Sequence, residues 1–249
     1  MNYKNHFTIL VPAYNVEKWA RKNITSIVEQ EFDNYDMIYI DDASTDNTHN
    51  IVKKIFEDYS RPSHTFQLIT NSFNKGKMWN VYDAINTMKD ETIVVIVDGD
   101  DWLKDPYILQ KLDKNYDPGV WITAGSYIEY PSQRIISPQI SDTYWVGSIR
   151  KKSWEASHLL SFRKKLFNKI KKKDLMNKAG EWFAATSDQA MAWPMLEMSG
   201  PAHYRTINDI LYVYNRINPL SDDKANRQDQ LFTESMIRSL SPYSAIEVL

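Results

Sequence analysis

With 249 residues, 43% of them apolar, the chain is long enough to bury one large core. Its formal net charge of -2, from 30 basic and 32 acidic residues, gives no excess with which to hold nucleic acid. The absence of cysteine excludes disulfides, thiolate metal sites and thiol nucleophiles, so a bound metal must sit on carboxylate, imidazole or carbonyl ligands, which favours a hard cation.

Residues 7–11, 37–40, 66–69 and 93–97 are apolar runs of strand length. Between them lie stretches of helical period: 16–30 with Ala20, Ile24, Ile27 and Val28 on one face, 47–59 with Ile51, Ile55 and Tyr59, and 77–88 with Val81, Ala84, Ile85 and Met88. Strand and helix alternate three times before a fourth strand, which specifies an α/β fold with a mostly parallel sheet and helices on both faces. Ser44, Thr45 and Asp46 are candidate caps for the second helix, and Asp105 followed by Pro106 announces a fourth helix through about Tyr116.

Beyond Tyr116 the alternation stops. Strand-like stretches occur at 120–123, 127–130, 158–162 and 210–214, and an amphipathic helix with a solvated lysine face is expected over 163–173. A helix over 188–198 persists despite Pro194, and 224–240 forms a closing helix with Phe232, Met236 and Leu240 aligned. Residues 1–6 hold no apolar leader and no apolar stretch reaches bilayer length, so a soluble, cytoplasmic protein without a transmembrane segment is expected.

Two carboxylate clusters stand directly after apolar strands: Asp41 and Asp42 after the second, and Asp98, Asp100 and Asp101 after the fourth. The carboxyl ends of the strands form the binding edge of a parallel sheet. Clustered acids repel one another, and a cation shared with a diphosphate is a natural way to keep them ionised. Each cluster alone could be a turn or a helix cap; both at matching strand ends point to a site.

In order and spacing, four segments resemble glycosyltransferase family 2 of GT-A fold: Ile9-Leu10-Val11-Pro12-Ala13-Tyr14-Asn15, Asp41-Asp42-Ala43-Ser44-Thr45-Asp46-Asn47-Thr48, Asn74-Lys75-Gly76-Lys77 and Val97-Asp98-Gly99-Asp100-Asp101-Trp102-Leu103. The resemblance implies one GT-A domain over 1–249, with a nucleotide-sugar half at 1–116, an acceptor half at 117–223 and a C-terminal helix at 224–249. It implies an inverting, metal-dependent transferase moving a sugar from a nucleotide-diphosphate sugar, expected to be a UDP-sugar, to a hydroxyl on a glycan or other acceptor. Pro12, Ala13, Tyr14 and Asp42 would border the nucleobase, with Lys77, Asp98 and Gly99 completing the donor site. Asp100 and Asp101 compete as ligands of Mn2+ or Mg2+. Ser187-Asp188-Gln189 is similar to the family's acidic motif at a helix start, which implies Asp188 as the general base; on local sequence alone it reads nearly as well as a helix N-cap. Arg216, after a late strand, is the expected diphosphate contact, against a surface salt bridge.

The chain departs from the family's pattern at Val81 and Tyr82, where an Arg-Asn pair is frequent, and around Trp193 and Pro194, where an arginine is common. These departures keep open a degenerate protein that binds sugar nucleotide or glycan without turnover. An imidazole such as His158 or His203 could complete a metal shell or serve structure through a hydrogen bond. Trp145, Trp154 and Trp182 read as a sugar platform or, more plainly, as core. The DxD phosphatases carry their motif on the first strand, and a dinucleotide oxidoreductase requires a G-x-G-x-x-G that is missing here. A homo-oligomer remains open.

Overall fold

The computed structural model describes residues 4–59, 65–156, 158–225 and 227–249. In chain order these form β1 (Phe7–Ala13), α1 (Glu17–Val28), β2 (Tyr35–Asp41), α2 (Thr48–Asp58), β3 (Phe66–Thr70), α3 (Lys77–Thr87), β4 (Ile93–Ile96), β5 (Trp102–Leu103), α4 (Ile108–Asn115), β6 (Ile122–Tyr130) and β7 (Ile135–Ile136). There follow β8 (Leu160–Arg163), α5 (Lys164–Phe167), α6 (Ser187–His203), β9 (Tyr204–Asn215), α7 (Asp222–Ala225) and α8 (Arg227–Ser239). No helix among the described residues is long and apolar enough to cross a membrane.

The strands form one sheet in the order β3-β2-β1-β4-β8-β6-β9-β5, with β7 on β6. β1 pairs in parallel with both β2 and β4, and β2 with β3, which is the expected parallel half. β8 then runs antiparallel between β4 and β6, and β9 lies parallel to β6 with a register shift around Ser126.

Strand period explains why helices cover both faces. Phe7, Ile9 and Val11 of β1 join Ala20, Ile24 and Ile27 of α1 and Val52 and Ile55 of α2 in one apolar cluster. Leu10, between them in sequence, points the other way and joins Met78, Val81 and Ile85 of α3 together with much of α6. All seven residues of β1 are buried, as a central strand covered on both sides must be.

Several expected boundaries move. Residues 120–123 and 127–130 belong to the continuous β6, because its pairing with β9 runs through the bulge rather than stopping at it. The helix expected over 163–173 is the single turn α5: Lys169 and Ile170 donate to carbonyls three residues back, which tightens the chain, and Leu166, Phe167 and Ile170 are buried without a longer helix. In α8 the buried positions are Thr233 and Ile237, one residue on from the expected stripe, and Phe232 is 65% exposed.

Candidate active site

The site begins with what holds the acidic turn after β4. Asn23, buried on the core face of α1, donates through Nδ2 to the carbonyl oxygens of Asp98 (2.9 Å) and Asp101 (2.8 Å). The Gly99 N–H bonds to the Pro12 carbonyl, and a Cβ at position 99 would stand 2.6 Å from the Ala13 Cβ, so a side chain here would push β4's end off β1. From the opposite side β9 grips the same turn. Tyr212 accepts the Asp98 N–H (3.0 Å) and donates to Asp101 Oδ2 (2.8 Å). The Asn215 N–H donates to Asp101 Oδ1 (2.7 Å), and Asn218 donates to Asp100 Oδ2 (2.7 Å).

These contacts give the three acids different environments. Lys77, the first residue of α3, lies 2.6 Å from Asp98. Burial acts to raise the Asp98 carboxyl, but the neighbouring Lys77 and His158 outweigh it and hold the group below the ordinary aspartate range. Asp100 is raised by burial and by the Asp98 charge, and Asp101 is raised well above its ordinary value by burial and by both neighbouring acids.

Asp42 is placed by the loop leading into α3. Its Oδ1 accepts from Asn71 Nδ2 (2.8 Å) and the Lys75 N–H (2.9 Å), and its Oδ2 accepts from the Gly76 N–H (2.9 Å). Gly76 sits at φ +83°, a conformation that favours glycine. Asn71 Nδ2 also donates to Asn80 Oδ1 (2.7 Å), while the buried Asn80 Nδ2 has no hydrogen-bond partner among the described residues. By contrast Asp41, 1% exposed, serves its own turn by accepting the Ser44 N–H.

A cavity of about 330 Å³ opens over these groups, lined by Pro12, Ala13, Tyr14, Asp42, Asn80, Lys77, Asp98, Gly99 and Asp100 on one side and by His158, Ser187, Asp188 and Tyr214 on the other. Such a volume suits a small-molecule ligand. Eight expected residues therefore meet in one cleft with Asp188, which arrives from far along the chain. The N-cap of α6 is Thr186, so Asp188 stands inside the helix and is not its cap. Thr186 has φ 60°, an unusual conformation for a β-branched residue and one often found beside functional sites.

Two expected residues lie elsewhere. Asp101 is 1% exposed and absent from the cavity wall, its oxygens turned back to Tyr212 and Asn215. Arg216 lines an adjoining cavity of about 520 Å³, not the first one, and its Nε is 3.7 Å from Glu129 Oε1. The two cavities share His158, Thr186, Asp188, Tyr214 and Gln230 as a common wall.

His158 is stacked between Tyr212 and Tyr214, at centroid distances of 4.8 and 5.0 Å. Burial lowers its imidazole against the opposing pull of Asp98 and Asp188, favouring the neutral, ligating form. Asp98, Asp101 and His158 each present a ligand atom within 4.8 Å of the others. Two carboxylate oxygens and an imidazole nitrogen fit Mn2+, and a cation would relieve the repulsion just described. Asp100, expected as a ligand, is outside this group but lines the cavity with its Oδ2 on Asn218, whereas Asp101 is buried with both oxygens bonded to Tyr212 and Asn215.

The other aromatic expectations resolve into packing. His203 stacks on Trp121 at 3.5 Å and its Nδ1 lies 2.7 Å from the Gly119 carbonyl. Trp145 and Trp182 pack against the core, and Trp154 lies against Trp193 and lines the second cavity. Val81 is buried in the core and Tyr82 packs on Phe167 and Trp182, so neither position supplies a donor contact. Sequence reasoning missed Asn23, Asn218 and Tyr212. Asn23 had a signal: a polar residue between Ala20 and Ile27 at the spacing of the buried face.

A parallel α/β half whose strand ends carry carboxylates into a cleft, extended by a mixed strand set, defines a fold of the GT-A type. Residues 8–180 match the family described as "Glycosyl transferase family 2", and the chain belongs to that family. Glycosyltransferase GlyA of Streptococcus pneumoniae is 30% identical over 123 residues, which are 49% of this chain and 17% of GlyA. The mannosyltransferase PcManGT of Pyrobaculum calidifontis, solved with GDP-Man and Mn2+, shares the fold with a TM-score of 0.62 at 22% identity, covering 97% of this chain and 66% of that one. S. aureus TarS 1-349 in complex with UDP does so with a TM-score of 0.63 at 16% identity, covering 94% and 64%. The chain thus spans about a sixth of GlyA and just under two thirds of each of these solved chains.

Proposed function

We propose that the protein transfers a sugar from a nucleotide-diphosphate sugar, a UDP-sugar in the first instance, to an acceptor hydroxyl with inversion at the anomeric carbon. The observation that carries this reading is the position of Asp188 in the wall shared by two cavities, across the first of them from Asp98, Asp100 and Lys77.

The nucleotide lies in the first cavity. Asp42 accepts a hydrogen bond from the base and the unpartnered Asn80 Nδ2 donates one, a pairing that matches the N3–H and carbonyls of uracil. Pro12, Ala13 and Tyr14 border the ring, and Asp98 lies toward the ribose. The UDP held by TarS and the GDP-Man held by PcManGT support a nucleotide in this cleft. Asp98, Asp100 and His158, which line the cavity, would hold Mn2+ or Mg2+, with Asp101 buried behind them, and the bound cation would supply charge neutralisation for the departing diphosphate. Lys77, paired with Asp98, brings a second positive charge to the same place.

Asp188 takes the proton of the acceptor hydroxyl as its oxygen bonds to the anomeric carbon. The bond from that carbon to the diphosphate oxygen breaks on the opposite face, and its electron pair leaves with the nucleoside diphosphate. The N-terminal turn of α6 favours the negative charge that Asp188 carries before it accepts the proton.

The test is Asp188→Asn. Thermal stabilisation by UDP with Mn2+ is expected to be retained, while turnover of UDP-sugars falls by about 10²–10⁴-fold. Wild-type turnover in the variant would remove Asp188 as base. Nucleotide stabilisation without turnover of any UDP-, GDP- or dTDP-sugar by the wild-type protein would establish the binding-only alternative.

A further inference from the structure

Tyr212 is fully buried on β9, a position that a phenylalanine could fill if packing were its whole task. Its hydroxyl is instead used in both senses, accepting the Asp98 N–H (3.0 Å) and donating to Asp101 Oδ2 (2.8 Å), so one oxygen spans the two ends of the turn that carries Asp100. The strand register explains how a residue so distant in sequence arrives there. β5, which continues directly from the turn, pairs antiparallel with β9 through Leu103 and Tyr212, and the Lys104 N–H donates to the Leu211 carbonyl (3.0 Å).

The ring serves the opposite side of the cleft. It lies against the His158 imidazole with centroids 4.8 Å apart and planes 9° from parallel, and Tyr214, two residues on and therefore on the same face of β9, stacks on that imidazole at 5.0 Å. Asp98 and His158 are thus held by one side chain, the first through its backbone and the second through its ring. Asp101 is the acid that Tyr212 withdraws. With Oδ2 on Tyr212 and Oδ1 on the Asn215 N–H (2.7 Å) it is 1% exposed, while its neighbour Asp100 lines the cavity.

We propose that Tyr212 is the positioning residue of the cation site: its hydroxyl turns Asp101 inward and presents Asp98 and Asp100 to the cleft, and its ring fixes the His158 imidazole opposite them. The assignment rests on the first cavity holding a nucleoside diphosphate with a divalent cation. Groups that stand behind metal ligands set the orientation of those ligands, and their loss lowers metal affinity by about 10–100-fold. A buried tyrosine that only fills space changes stability and leaves the affinity of the folded protein for the ion untouched.

Titration of Mn2+ into the protein with and without UDP, read by the electron paramagnetic resonance of the ion, tests this. The wild-type protein comes first, and binding of Mn2+ in neither condition would overturn the donor reading and the proposal together. Tyr212→Phe keeps the ring and removes the hydroxyl; it is expected to weaken Mn2+ binding about tenfold in protein that still melts cooperatively. Tyr212→Leu, which also removes the stack on His158, is expected to weaken it further. Asp101→Asn, nearly isosteric, gives a second handle should a tyrosine variant not fold: it is expected to keep Mn2+ affinity within about threefold, while Asp100→Asn loses at least about tenfold. Wild-type Mn2+ affinity in Tyr212→Phe with only a lowered melting temperature, or a greater loss in Asp101→Asn than in Asp100→Asn, would overturn the proposal and leave the donor reading standing.

Discussion

The two halves of the sheet solve one problem by different means. Among β1 to β4 the pairs are all parallel, and helices on both faces close two apolar clusters. From β6 onward apolar packing continues, and polar contacts between distant parts of the chain are added to it. Arg150, 2% exposed, donates to Glu197 through Nε (2.6 Å) and Nη2 (2.8 Å) and to the Ile237 carbonyl (2.7 Å). Glu197 also accepts the Tyr243 N–H, so a single buried pair ties α6, α8 and the C-terminal segment together. Periodic apolar packing distributes stability widely, whereas such a pair concentrates it at one point.

The sharpest way to break this comparison is Arg150→Ala. It strands the Glu197 carboxylate in the interior, and a loss of about 3–5 kcal/mol is expected in denaturant unfolding. A loss below about 1 kcal/mol, the scale of an exposed pair, would mean that packing holds the second half much as it holds the first. Gly99→Ala probes the seam where the first half meets the site. The added methyl meets the Ala13 Cβ, and overpacking of about 1–3 kcal/mol is expected, with weaker UDP binding because the acidic turn must shift. Unchanged UDP affinity would separate the seam from the site.

A smaller effect tests the polar joints within the apolar half. Asp46 Oδ2 accepts the Glu17 N–H (3.0 Å) and its Oδ1 the Thr48 N–H (3.0 Å), so one carboxylate serves the first turns of α1 and α2. Burial acts to raise this carboxyl, but hydrogen bonds from Thr48 and Glu17 hold it below the ordinary range. The stability it contributes is present above the unfolded-state value and is lost as pH falls through the folded one. Asp46→Asn is expected to cost about 1 kcal/mol at neutral pH, with the difference from wild type shrinking in acid, as thermal melts across pH would show. A pH-independent difference would mean that the charge has no part in it.

The same contrast explains what could be read from the residues alone. Ala20, Ile24, Ile27 and Val28 repeat at helical spacing, and the acids after β2 and β4 stand at strand ends; both signals are local, and both describe the first half well. In α2 the period points to Ile51, which is partly buried against the core, while its neighbour Val52 is the fully buried residue, because adjacent apolar positions on a short helix leave the face ambiguous. In the second half the decisive relations are long-range. That His158 lies beside Asp98, that Glu129 binds Arg134 and Arg216, and that Asn218 holds Asp100 are facts of three-dimensional approach, which no spacing along the chain encodes. Arg216 carries a motif signal, but the cavity it lines is a matter of long-range approach, its contact with Glu129 included, and that has no local signature.

Asn23 carries a consequence for how the cleft can move. Because one carboxamide spans both ends of the acidic turn, the turn travels with α1 as a single body. The floor of the first cavity therefore shares the stiffness of the helix layer beneath it, and the far wall, where His158, Asn218 and the start of α6 meet, is held separately from that layer.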